Sequence, residues 1–215
     1  ELSVKDAAKV VSLMDSDDAV DVLETLDDKK KYEIVENLDK AAIKDVKMLL
    51  SYDDDEIGSC MTTNYICIPK GLSVRQAMSE LVRQAGTNDN ISTIYVLDES
   101  LKFAGAIDLK DLIIAREHDV LDDIIVHSYP SVTDHEKIDD CMEKIMDYSE
   151  DSIPVLSQDG HMLGVITSED IVEMVDNEMG EDYAKLAGLT AEEDLKETTV
   201  QSMKKRLPWL IILLF

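Results

Sequence analysis

One pattern occurs twice in this chain, and that repeat limits its fold more tightly than any other feature. Thr93-Ile94-Tyr95-Val96-Leu97, Gly105-Ala106-Ile107 and Asp111-Leu112-Ile113 align, at a constant offset of 59, with Ser152-Ile153-Pro154-Val155-Leu156, Gly164-Val165-Ile166 and Asp170-Ile171-Val172. Upstream of each block, a helical stripe of Val74, Ala77, Met78 and Leu81 matches Ile138, Cys141, Met142 and Ile145 at an offset of 64. The difference of five residues is a loop insertion near Thr87-Asn88-Asp89-Asn90. Each copy therefore reads as a lead-in strand, a helix, two strands and a second helix, an α+β unit of about 60 residues. A unit that small buries too little apolar surface by itself, so the copies are expected to pack on one another.

Ahead of the repeat the texture is different. Residues 1 to 50 contain neither Gly nor Pro, and their apolar residues recur at helical spacing: Val10, Leu13 and Met14; Val20, Leu23 and Leu26; Ile34, Val35 and Leu38; Ile43, Val46, Leu49 and Leu50. Asp15-Ser16-Asp17, Asp27-Asp28 and Asp39 stand where N-caps and first-turn acids belong, because their oxygens accept from unpaired amides and oppose the helix dipole. Four short helices separated by short breaks predict an all-α superhelical domain in which neighbours cover each other's apolar stripes.

Charge narrows the function. Across 215 residues, 47 acidic against 21 basic side chains give a net charge of −26. A phosphate backbone is held by excess Lys and Arg, so nucleic acid is excluded as a partner, and cations are the natural counter-charge. Between Glu117 and Val200 stand 24 acids and only four bases, Lys137, Lys144, Lys185 and Lys196, too few for salt bridges to neutralise the segment. Mg²⁺ suits such surfaces: it takes carboxylate oxygens, keeps several waters and joins two faces through one or two direct ligands. Asp17 with Asp21, at i and i+4, share one helix face, with Asp18 between them. Asp170 ends the second Gly-to-Asp turn, and Glu181 and Asp182 open a polar helix after the repeat. For any one acid taken alone an N-cap or a solvated face is the better account; the cluster is the candidate.

Catalysis has little support. His118, His127, His135 and His161 show no metal-ligand spacing, no Ser or Cys has a nucleophile context, and the glycines form no dinucleotide or Walker loop, so the chain reads as a non-enzyme. Cys60, Cys67 and Cys141, an odd set without a CxxC, read as reduced, buried thiols in a cytosolic setting. No charged-then-apolar leader follows Glu1, and the chain is expected to begin inside a longer protein. At the other end Lys204-Lys205-Arg206 precede Pro208, Trp209 and an apolar run to Phe215. With cations on one flank only and no polar alternation, the run reads as the start of a first membrane helix entered from the cytoplasm, in preference to a core strand.

The repeat resembles a CBS-domain pair. Gly105-Ala106-Ile107-Asp108-Leu109-Lys110-Asp111 and Gly164-Val165-Ile166-Thr167-Ser168-Glu169-Asp170 carry its Gly-hydrophobic-hydrophobic-x-x-x-Asp turn. The whole succession, from Leu49-Leu50-Ser51-Tyr52-Asp53-Asp54-Asp55-Glu56-Ile57-Gly58 through the pair to Gly180-Glu181-Asp182-Tyr183-Ala184 and Pro208-Trp209-Leu210, resembles the MgtE family of bacterial magnesium channels and transporters. That resemblance implies a helical N domain (1–56), CBS domain 1 (57–118), CBS domain 2 (119–178), a connecting or plug helix (179–206) and the start of a transmembrane helix (207–215). It implies the cytosolic Mg²⁺-sensing region of a multi-pass inner-membrane protein, a homodimer through its CBS domains, gating a pore domain that lies beyond this chain. By the same resemblance Asp170, Glu181 and Asp182 match magnesium-binding acids, with Asp17, Asp18 and Asp21 less closely placed. Asp108 stands where Ser or Thr is commoner, and Met146 and Ser149 lie near positions acidic elsewhere in the family. An adenosine-nucleotide module is the alternative: Lys110 and Asp111 match the residues that meet ATP phosphate and ribose, although Glu150 occupies the position expected of a stacking aromatic.

Overall fold

The computed structural model describes residues 2–146 and 150–175. The chain divides into two units, Glu1–Asp170 and Ile171–Phe215, and the architecture below is that of the first.

Four helices open it: α1 (Val4–Val11), α2 (Ser16–Glu24), α3 (Asp28–Val35) and α4 (Ala42–Leu49). Ser3 and Asp27 cap α1 and α3 by accepting from the amides of Asp6 and Lys30. Asp39 accepts from the amides of Ala41 and Ala42 and so starts the turn into α4. Helix α1 packs on α3 and α2 on α4, each against its second neighbour. Ala8, Val11, Ala19, Val20, Leu23, Val46 and Leu49 are withdrawn from water along these seams.

The first repeat copy follows as β1 (Ile66–Pro69), α5 (Val74–Gln84), β2 (Thr93–Leu97), β3 (Phe103–Asp108) and α6 (Leu109–Ile114). The second follows as β4 (Val132–Thr133), α7 (Ile138–Met146), β5 (Ser152–Leu156) and β6 (Met162–Thr167), with helix resuming at residue 168. In each sheet the middle strand runs parallel to the first and antiparallel to the third. The repeat sets the register: Thr93 faces Asp108 as Ser152 faces Thr167, and the bulge between Val96 and Leu97 recurs between Val155 and Leu156. The five-residue insertion falls in the segment 85–92, between α5 and β2.

The copies are interlaced. Thr62, in the first copy's approach, bridges Val165 of β6, whereas Val126, in the second copy's approach, bridges Ala106 of β3. The core of the first copy accordingly includes Leu121 and Ile125 beside Ile66, Ile94 and Ile107. A glycine makes each crossing possible. A Cβ on Gly105, whose φ is +147°, would stand 2.7 Å from the Val126 carbonyl oxygen. One on Gly164 would stand 2.7 Å from the Thr62 oxygen. Where the copies meet, Tyr95, Ala106 and Val165 are enclosed by Tyr65, Phe103, Tyr129 and Met162. Two hydroxyls are satisfied inside this seam: Tyr95 Oη pairs with Ser152 Oγ at 2.6 Å, and Tyr129 Oη donates to the Ser152 carbonyl at 2.8 Å.

Cys141 is buried and donates to the Lys137 carbonyl at 3.1 Å, Cys60 and Cys67 are half-buried, and none of the three is joined in a disulfide. Among the described residues no helix is long and apolar enough to cross a membrane. Residues 179–215, which include Glu181, Asp182 and the basic-then-apolar end, lie outside the described residues.

Candidate functional site

The N-terminus of α2 lands on the approach strand that is threaded beside β6. Ser16, 8% exposed, accepts from the Thr63 amide at 2.9 Å and lies 3.3 Å from the Thr63 hydroxyl. Asp15 stands at the N-cap, but its side chain caps nothing in the helix. It accepts instead from Asn64 Nδ2 at 2.8 Å, so the sequence expectation of a simple capping acid is corrected by a tertiary partner. These bonds fix the next residue, Asp17, against Thr62 and the turn after β6.

Asp17 is the most perturbed acid of the described chain. One carboxylate oxygen, Oδ1, is buried without a hydrogen-bond partner. Burial first, and then the charge of Asp170, push its pKa up to about 7, against an opposing hydrogen bond from the Thr62 side chain. Asp170 is raised too, again by burial first. Its Oδ2 accepts from the Thr167 amide at 2.6 Å and the Thr167 hydroxyl at 2.9 Å, which pull the other way. Asp18 adds negative charge to both, and Cys60 is raised by burial and then by Asp21, Asp170 and Asp17. The Cys60 thiol thus faces the same acids and stays protonated.

The structure therefore brings four of the six candidate metal acids, Asp17, Asp18, Asp21 and Asp170, into one electrostatic neighbourhood. Among the described residues no three His, Cys, Asp or Glu side chains are arranged to hold an ion by themselves. Thr62, Asn64 and Cys60 also contribute, and sequence reasoning did not find them. Each reaches the site through the interlacing of the copies, which leaves no local spacing signal.

Lys110 and Asp111 sit in the first turn of α6, the counterpart of the Thr167–Asp170 turn. There Asp108 replaces Thr167. Its Oδ1 accepts from the Lys110 amide at 2.6 Å. Lys110 is exposed and Asp111 half-buried.

Residues 1–55 match the MgtE intracellular N domain, and residues 56–118 and 121–177 match the CBS domain. A magnesium transporter MgtE of Enterococcus faecalis is 37% identical over 171 residues, covering 80% of this chain and 38% of its own length. The crystal structure of the soluble part of a magnesium transporter superposes with a TM-score of 0.78 at 33% identity, over 82% of this chain and 69% of that one. The cytosolic domain of the Mg²⁺ channel MgtE in complex with ATP superposes with a TM-score of 0.71 at 25% identity, over 80% and 76%. This chain spans well under half the length of the Enterococcus relative.

Proposed function

Because the chain belongs to the MgtE family, as an intracellular N domain followed by a CBS pair, we propose that it is the Mg²⁺-sensing regulatory region of a magnesium channel or transporter. The observation that carries this reading is the buried Asp17 carboxylate set against Asp170 with one oxygen unsatisfied. Two unit charges about 4 Å apart repel by roughly 4 kcal/mol at an effective dielectric of 20. Without a cation, that repulsion works against seating the helical domain on the CBS pair. A hydrated Mg²⁺ between Asp17 and Asp170, with Asp18 and Asp21 in its outer sphere, reverses the sign. Glu181 and Asp182 extend the same chemistry to the connecting helix, and closure across a CBS-mediated dimer then draws two such helices together and shuts the pore.

A Mg²⁺ titration at constant ionic strength, followed by limited proteolysis, tests this. Cleavage between residues 50 and 60 is expected to be suppressed by Mg²⁺ and not by equivalent K⁺. Asp17→Asn and Asp170→Asn are each expected to remove the Mg²⁺ dependence while leaving the chain folded. Equal protection by K⁺ would reduce the acids to solvated surface.

Nucleotide is a second ligand supported by one relative, the ATP-bound cytosolic domain. Lys110 and Asp111, paired on the first turn of α6, are the groups proposed to meet phosphate and ribose. Isothermal titration with ATP, and with Asp111→Ala as control, separates this ligand from Mg²⁺ because neither residue belongs to the Asp17 cluster.

A further inference from the structure

We infer that His135 is a proton-operated clasp on the junction between the helical region and the second CBS copy, fastened when its imidazole is charged and slackened when it is neutral. The junction is a short ladder. Ile57 donates to the Glu136 carbonyl at 2.9 Å, Gly58 to the Asp134 carbonyl at 2.8 Å, and Ile138 back to the Asp55 carbonyl at 2.9 Å. His135 stands in the middle of it. Its Nδ1 lies 3.1 Å from Glu56 Oε1 and its Nε2 lies 3.8 Å from Asp134 Oδ2. The ring meets Tyr52 edge-on, with centroids 5.4 Å apart.

Both carboxylates are sheltered, with side chains 14% exposed for Glu56 and 9% for Asp134. The other donors to Asp134, the Tyr52 hydroxyl and the His135 backbone amide, which reaches Oδ1 at 3.1 Å, are both neutral and supply no counter-charge. Tyr52 donates to Asp134 Oδ2 at 3.1 Å, its own pKa pushed up to about 12 by burial and then by the Asp134 charge. Lys137 is engaged with Asp55 at 2.6 Å and reaches Glu56 at 3.9 Å and Asp53 at 4.0 Å. Glu136 accepts from the Thr133 amide. Among the described residues, His135 is the one basic side chain within 4.0 Å of Asp134.

An imidazolium has an N–H for each carboxylate. A neutral ring that donates from Nδ1 to Glu56 turns the Nε2 lone pair toward Asp134, which replaces attraction by repulsion. Histidine as a residue type changes charge between pH 5 and 8, and the His135 side chain is 53% exposed to solvent. The clasp requires no divalent cation, so it stands apart from the Asp17 reading.

Amide hydrogen exchange of Ile57, Gly58 and Ile138, corrected for intrinsic pH dependence and measured on the 215-residue chain in chelator, tests it. Protection is expected to fall about threefold from pH 6 to pH 8, as loss of the ion pair that Nε2 makes with the sheltered Asp134 at 3.8 Å implies. His135→Gln should sit at the pH 8 level throughout, and Glu56→Gln should shrink the drop, with exchange in β2 unchanged in both. Equal protection at the two pH values in the parent chain, or a His135→Gln profile that repeats the parent's, would overturn the clasp.

Discussion

Asp17 shows how far one residue's environment can be turned against its ordinary chemistry. Its folded pKa stands near 7, well above the usual carboxylate value of 3.8. A raised carboxylate binds its proton more tightly when folded, so protonation stabilises the closed contact at low pH. That stabilisation is lost as pH climbs from the carboxylate range through about 7, at roughly 1.4 kcal/mol for each pH unit crossed. Protection of the Thr63 amide, which bonds Ser16 beside Asp17, corrected for the intrinsic pH dependence of exchange, should therefore fall between pH 5 and 8 in chelator. Mg²⁺ at pH 8 should restore it, and Asp17→Asn should be equally protected at both. Leu101 offers a simpler test. It holds φ at +61° where the second copy uses Gly160 at +84°, and it is 65% exposed. Asn tolerates that conformation, so Leu101→Asn should raise stability by about 0.5–1 kcal/mol in a denaturant titration.

At the scale of elements, the glycines of β3 and β6 are where an approach strand passes. Gly105→Ala puts a Cβ 2.7 Å from both the Val126 oxygen and Ile125 Cγ2, at a φ that side chains rarely adopt. A loss of about 2–4 kcal/mol is expected, read as a lower denaturant midpoint. The elements themselves are legible in the sequence, because the repeat fixes them: an offset of 59 carries Thr93↔Asp108 onto Ser152↔Thr167, bulge included. The short N-terminal helices are legible through Asp27 and Asp39, whose oxygens do cap or turn the chain. Asp15 departs from that pattern because its partner, Asn64, is 49 residues away and belongs to an approach strand with no periodic signature. The same distance hides Thr62 and Cys60. The acids of the site announce themselves by type, whereas the groups that desolvate them do not.

At the scale of the whole molecule, Ile113 and Ile114 are 62% and 66% exposed at the end of α6, and they are the residues by which the proposed CBS dimer is tested. Replacing both with Glu should shift the chain toward monomer in sedimentation without changing its circular dichroism. A parent chain that already sediments as one 24.1 kDa species would remove the dimer from the reading. The interlaced approach strands carry a different consequence. Because Thr62 completes β6 and Val126 completes β3, neither half contains its own last neighbour. The pair is thus less like two beads on a string than like two clasped hands. Cut between residues 115 and 120, ahead of Leu121, Ile125 and Val126, it should behave as a split protein: each piece insoluble when made alone, the two recovering one folded body when made together.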